Sequence, residues 1–232
     1  MAPQDEVIRQ AAVYGVALEG PVGQQLQQYL ALLLEANRAF NLTSVDEPEA
    51  AWHKHILDSL SLVPQLAAQL DLATIVDVGS GGGLPGIPLA VALPERRFTL
   101  LEATGKKARF LADVSRALRL DNVRVVEQRA ESFGQAEGRA QFDAVTARAV
   151  SRLPVLLELT LPLLRPHGIC LALKGEQAEL EVQEAEHALR VLGGVVREQL
   201  RTPTGTIIRV EKQGATPRKY PRRPGEPKKN PL

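Results

Sequence analysis

A glycine-rich turn, set between an apolar strand and an apolar run, limits this chain more than any other stretch. Ile75, Val76 and Val78 read as a short buried strand. Five glycines follow within residues 79–86, and then an apolar run that can form a helix. Glycine lets the backbone turn sharply and brings bare N–H groups close to a ligand. Strand, glycine turn and helix begin a nucleotide-binding α/β unit, and Asp77 adds a carboxylate at the expected mouth. The dinucleotide pattern G-x-G-x-x-G fails from Gly79, because its third position is Leu84. It succeeds from Gly81, through Gly83 and Gly86, with Pro85 inside. That pattern alone therefore leaves the ligand open.

The next strand narrows the choice. Arg97–Glu102 reads as a second strand that ends in an acid, 23 residues beyond Gly79. A carboxylate at about that spacing accepts both ribose hydroxyls of an adenosine. The adenosine is fixed by this, but not the cofactor. The frame Asp77, Gly79, Gly81, Gly83 resembles the first motif of S-adenosylmethionine-dependent methyltransferases. Their cofactor has no phosphate and a zwitterionic amino acid end, which suits N–H groups and carbonyls beside a carboxylate.

The rest of the core continues the same alternation. Gly105 to Leu118 reads as a helix, and Val123–Glu127 as a third strand. Ala130-Glu131 follows in a loop bordering the adenine, where a backbone N–H and a carboxylate would read the base. Phe142–Arg148 is the fourth strand, and Arg148 stands beyond its carboxyl end, where ligands of open α/β sheets lie. A helix from Leu153 to Leu164 leads to a fifth strand, Gly168–Lys174, with Lys174 at its functional end. A long acidic helix to Leu192 carries Glu176, Glu179, Glu181, Glu184 and Glu186 as a solvated face. Two strands around Pro203-Thr204-Gly205 form a terminal hairpin. The expected fold is α/β and Rossmann-like: a seven-stranded, mostly parallel sheet with one antiparallel strand and helices on both faces.

Residues 1–70 read as a helical extension, ahead of a core domain at 71–212 and a basic tail at 213–232. Leu26, Tyr29, Leu30 and Leu33 fall at helical spacing. The pattern breaks at Asn37–Thr43, and a new helix begins near Pro48. His55 and Asp58, three apart, share a helix face, either as a structural pair or as part of the substrate cleft. His53 and His55 point to different sides, which argues against a metal site.

Charge separates the tail from the body. From Lys212 onward there are seven Lys or Arg and one acid, a surplus of +6 that leaves −5 for the rest of a chain whose total is +1. A basic arm on an acidic body calls for a polyanionic partner. Arg218, Lys219, Arg222, Arg223, Lys228 and Lys229, with Lys174, are the candidate contacts to that polyanion. Rich in Pro, Gly and cations, the last 20 residues are expected to be extended or mobile unless bound. The single cysteine, Cys170, excludes an internal disulfide and reads as a buried strand residue. No stretch of 18 apolar residues is present, and the N-terminus lacks a basic-then-apolar leader, so a cytoplasmic protein without membrane attachment is expected. Two boxes are missing: the Asn/Asp-Pro-Pro-aromatic box of amino-group methylases, and the Pro-Cys nucleophile of cytosine C5 methylation.

Six stretches together resemble one family. They are Asn37 to Thr43, His55 to Leu60, Asp77 to Ala90, Lys106 to Leu111, Phe142 to Ala149, and Arg218 to Leu232. The combination is similar to the glucose-inhibited division protein B family, the bacterial small-subunit ribosomal RNA guanine-N7 methyltransferases. The glycine motif is shared by many methyltransferases; the tail and H-x-x-D-S-L are far more specific. The resemblance implies S-adenosylmethionine held at Gly79, Leu84, Glu102-Ala103-Thr104, Ala130-Glu131 and Arg148, beside Asp77 and Gly81 of the motif. Two departures are visible: Ala36, where the family often has Trp, and Glu102-Ala103, where it often has Asp-Ser. The implied reaction methylates N7 of one guanine in the 530 loop of 16S ribosomal RNA, as naked RNA or within the small subunit. Guanine N7 has a free lone pair and no proton to lose, so no general base is needed. Catalysis is then mainly positioning, and Arg148 is expected to orient rather than deprotonate. A monomer is expected. Three rivals remain open on sequence grounds: a nicotinamide-dependent dehydrogenase, a non-catalytic RNA-binding factor that senses S-adenosylmethionine, and a small-molecule methyltransferase.

Overall fold

A computed structural model describes residues 3–68 and 72–232. The boundary expected near residue 70 lies outside the described residues, as do Met1 and Ala2. Seven strands form one sheet: β1 (Thr74–Val78), β2 (Arg97–Glu102), β3 (Val123–Glu127), β4 (Phe142–Arg148), β5 (Leu164–Lys174), β6 (Gly194–Thr202) and β7 (Gly205–Lys212). Their order is β3-β2-β1-β4-β5-β7-β6, and β7 runs antiparallel to both neighbours. The chain winds outward from β1 to β3, then returns to pair β4 with β1. That reversal opens a crevice at the carboxyl ends of β1 and β4.

Both faces of the sheet are covered, so the central strands are apolar on both sides. Ile75, Phe98 and Leu100 face a layer containing the helices Pro21–Phe40, Gly86–Ala92 and Gly105–Ala117. Trp52, Ile56 and Leu60 belong to the same layer, so the N-terminal helices share the core of the sheet. Val76, Leu101 and Val145 face the other layer, with Phe133, Leu156, Leu157 and Leu192. Cys170 is buried there in β5.

Several local expectations are corrected. The helix expected to break at Asn37 runs to Phe40, and Asn41 closes it in the left-handed region at φ 49°. Within the next helical run, Trp52–Leu57 forms a π-helical turn. The helix after β4 ends at Thr160, because Pro162 in the next turn has no N–H to continue it. β5 accordingly starts at Leu164 rather than Gly168. The acidic helix is two helices, Ala178–Glu184 and Glu186–Leu192, that meet at Ala185. Ala130 and Glu131 open a short helix instead of lying in a loop.

The tail departs furthest from its expected behaviour. It is docked along the body, with Thr216, Tyr220, Pro221 and Pro227 buried. The Arg139 guanidinium donates to the carbonyls of Thr216 (2.6 Å) and Tyr220 (2.7 Å). Lys212, counted among the tail cations, is buried and donates to Leu161 O and Leu164 O, each at 2.7 Å. Proline-rich segments pack by complementing a surface already built, which hydrophobic periodicity does not register.

Candidate cofactor and acceptor site

The glycine turn takes its shape from three residues in the left-handed region: Gly79 (φ 70°), Gly81 (φ 56°) and Gly83 (φ 98°). Side chains rarely tolerate that geometry. At Gly83 a Cβ would also come within 2.7 Å of Ile87. The Tyr29 hydroxyl supports the turn from the N-terminal layer, donating to Gly82 O at 2.9 Å.

Asp77 lies beneath this turn, not at its mouth, which corrects its expected direct role. It is fully buried; Thr146 Oγ1 donates to its Oδ1 at 2.9 Å, and the Gly86 N–H to its Oδ2 at 3.3 Å. Burial raises its pKa to about 6, more than the hydrogen bonds from Ser80, Thr146 and Gly86 lower it. Between its usual value of 3.8 and about 6, the folded protein therefore keeps a proton that the unfolded chain has released. Stability falls as pH rises through that window. Asp77→Asn cannot titrate, so wild type should gain on the variant by up to roughly 3 kcal/mol as pH falls from 6 to 4. Urea unfolding at a series of pH values measures this; a pH-independent difference would contradict it.

A cavity of about 230 Å³ opens beside the turn. Gly79, Glu102, Ala103, Ala130 and Glu131 line it, as do Gln128, Val150 and Ser151, which the sequence did not single out. Glu102 accepts the Gly81 N–H at 2.9 Å and the Thr104 N–H at 2.8 Å. Gly81 and Thr104 thus act on the cavity through the acid they hold. Leu84 is packed in the core under the turn, outside the lining. The acid at the end of β2, the bare glycine backbone and a second acid in the short helix after β3 have the chemistry that suits an adenosine with an amino acid tail. Three further lining residues come from the tail: Gly225, Pro227 and Lys228.

A second cavity, of about 420 Å³, shares Val150 and Ser151 with the first. Arg148 lines this one, with Asp58, Lys174, Glu181 and Thr204. Arg148 Nη1 donates to Asp58 Oδ2 (3.1 Å) and to Lys54 O (2.7 Å), and its Nη2 meets His55 Nδ1 at 3.3 Å. His55 Nε2 lies 2.7 Å from Thr43 Oγ1, and Asn37 Oδ1 accepts the Thr43 N–H at 2.8 Å. The two N-terminal motifs therefore converge behind one arginine. Burial, with the adjacent Arg148, pushes the His55 pKa down to about 4, so the ring is neutral at pH 7. Its Nδ1 then accepts from Arg148 and its Nε2–H donates to Thr43. The Thr204 hydroxyl, from the β6–β7 hairpin, donates to the other Asp58 oxygen.

The expected cation set divides in the same way. Lys174 is ion-paired to Glu181 at 2.7 Å and is mostly buried, so it is not a free phosphate ligand. Glu181 also accepts the Leu153 N–H at 2.7 Å, which removes it from the solvated face. Arg222 is committed too. Its Nη2 lies 2.6 Å from Glu158 Oε2 and its Nε 2.9 Å from Oε1, and Glu158 is fully buried. Arg218, Lys219, Arg223, Lys228 and Lys229 are exposed. Among the described residues, no helix is long and apolar enough to cross a membrane.

Sheet order, glycine turn and strand-end acid define the class as the Rossmann-like fold of S-adenosylmethionine-dependent methyltransferases. An S-adenosylmethionine-dependent methyltransferase from Aquifex aeolicus shares this fold at 15% identity and a TM-score of 0.58, covering 74% of this chain and 97% of that one. A putative O-methyltransferase from Klebsiella pneumoniae does so at 19% and 0.55, over 80% and 90%. The chain belongs to the rRNA small subunit methyltransferase G family, whose model matches residues 23–204. Ribosomal RNA small subunit methyltransferase G of Sorangium cellulosum is 45% identical over 96% of this chain and 93% of its own. The protein of the same name from Staphylococcus saprophyticus is 41% identical over 97% and 96%. The dehydrogenase reading is set aside by this membership.

Proposed function

We propose that this protein transfers the methyl group of S-adenosylmethionine to N7 of one guanine in the 530 loop of 16S ribosomal RNA. One observation carries the choice of acceptor atom. Both carboxylates of the acceptor cavity are already paired, Asp58 with Arg148 and Glu181 with Lys174. Among the described residues no other carboxylate lines this cavity, and N7 needs no base. The bound cofactor supplies an electrophilic methyl group. Glu102, held by the Gly81 N–H, accepts the ribose hydroxyls, Gly79 borders the amino acid end, and Ala130 and Glu131 border the adenine. Arg148, held from three sides, orients the guanine. The protein acts as a monomer in the cytoplasm, on the RNA or the small subunit.

The five exposed tail cations bind RNA phosphates. For single-stranded RNA they give a log–log salt dependence with a slope of about −3.5, taking roughly 0.7 per contact. A slope near zero would exclude the tail as an RNA surface.

Labelled S-adenosylmethionine and small-subunit RNA from cells lacking this gene test the reaction. Label should appear as 7-methylguanosine at one site. Cofactor binding without any label in RNA would favour a non-catalytic sensor instead.

A further inference from the structure

The cofactor cavity is not closed by the sheet alone. Gly225, Pro227 and Lys228 complete its lining, and the Gly225 N–H donates to Glu131 Oε1 at 2.8 Å. This part of the tail is anchored next door, where the Arg222 N–H and guanidinium hold the buried Glu158. The same segment shows cations to solvent at Arg223, Lys228 and Lys229. A third hollow, of about 470 Å³, is lined by Ser151, Arg152, Lys228 and Leu232. Ser151 and Arg152 also line the acceptor cavity. These two shared residues, with Arg152 paired to Glu184 of the hollow, mark a track from the acceptor cavity to Lys228.

We propose that residues 222–229 are one element of two ligand sites. Their inner side completes the cofactor cavity, their outer cations hold RNA phosphates, and the two ligands therefore bind with positive coupling. The proposal rests on reading the first cavity as the S-adenosylmethionine site. In this proposal the segment exchanges between this docked position, held by the Arg222–Glu158 pair, hydrogen bonds and the buried Pro227, and an undocked one. Undocking removes a wall of the cofactor cavity and the hydrogen bond that holds Glu131. A cofactor in that cavity touches the segment only when it is docked. An RNA strand that enters the acceptor cavity and follows the track meets these cations only in the docked position. Each ligand then favours the state that the other prefers, and the coupling is reciprocal.

Hydrogen exchange on the full wild-type chain tests this directly. Adding S-adenosylmethionine should slow amide exchange in residues 222–230 as well as in residues 79–104. A saturating RNA hairpin carrying the 530-loop sequence should tighten S-adenosylmethionine binding on the order of 10-fold, measured by calorimetry. In the variant Arg223→Gln/Lys229→Gln most of that gain should disappear. Protection confined to residues 79–104, or a cofactor affinity indifferent to RNA, would overturn the proposal while leaving the cofactor site standing. No binding of S-adenosylmethionine to the wild-type chain would overturn the cofactor reading, and the proposal with it.

Discussion

Replacing Arg222 with alanine should lower the unfolding free energy by about 3–5 kcal/mol, the cost of leaving a buried charge without its partner. Glu158 is fully buried and is held by the Arg222 guanidinium through both carboxylate oxygens. Without the guanidinium only the backbone N–H of residue 222 remains on that carboxylate. Arg223→Ala, one residue on and exposed, should change stability by no more than about 0.5 kcal/mol. The double variant Arg222→Met/Glu158→Leu removes both charges, and apolar replacement of a buried pair is often neutral or stabilising. It should recover most of the loss. Chemical denaturation of the four proteins separates these outcomes. Equal, small effects at 222 and 223 would show that the tail is not anchored as described.

Arg148→Ala should reduce kcat on the order of 10²-fold, the scale of a misplaced reacting group. The loss should fall on the chemical step rather than on S-adenosylmethionine affinity, because Arg148 lines the acceptor cavity and not the cofactor cavity. Arg148→Lys should restore little. A single ammonium cannot reproduce the planar fork that meets Asp58, Lys54 O and His55 together. Single-turnover methylation and calorimetric cofactor titration make the comparison. An equal fall in cofactor affinity would move Arg148 into the cofactor site.

The parts legible in the sequence are those whose physics is local. β1 and β2 are apolar runs that end at Gly79 and Glu102, and β4 and the edge strand β3 are short β-branched or apolar segments between turn residues, so all four are legible almost to the residue. The glycine turn and Glu102 are legible because φ and spacing constrain residue type directly. The convergence of Asn37, Thr43, His55 and Asp58 on Arg148 is not, since the contacts that reach Arg148 span 90 and 93 residues of chain. Asp77 looks like a ligand in the sequence because position, not burial, is what a motif reports. Tail docking is hidden by composition, which signals solubility and not a partner surface. One signal is available. Glu158 is a lone acid in the apolar run Leu153–Leu164, and a carboxylate placed there needs a cation from elsewhere in the chain.

The π-helical turn at Trp52–Leu57 also bears on how this protein tolerates changes in chain length. A widened turn takes up an extra residue without breaking the helix that contains it. Deleting one residue there would let an ordinary helical turn form, with little loss of backbone hydrogen bonding. Because the wide turn holds about one residue more than an ordinary turn, the helix beyond the deletion would keep close to its present face. Trp52 and Asp58 would still face the core and Arg148. A single-codon deletion at this point should therefore be tolerated, whereas one in the ordinary helix Pro21–Phe40 would turn everything beyond it by about 100°.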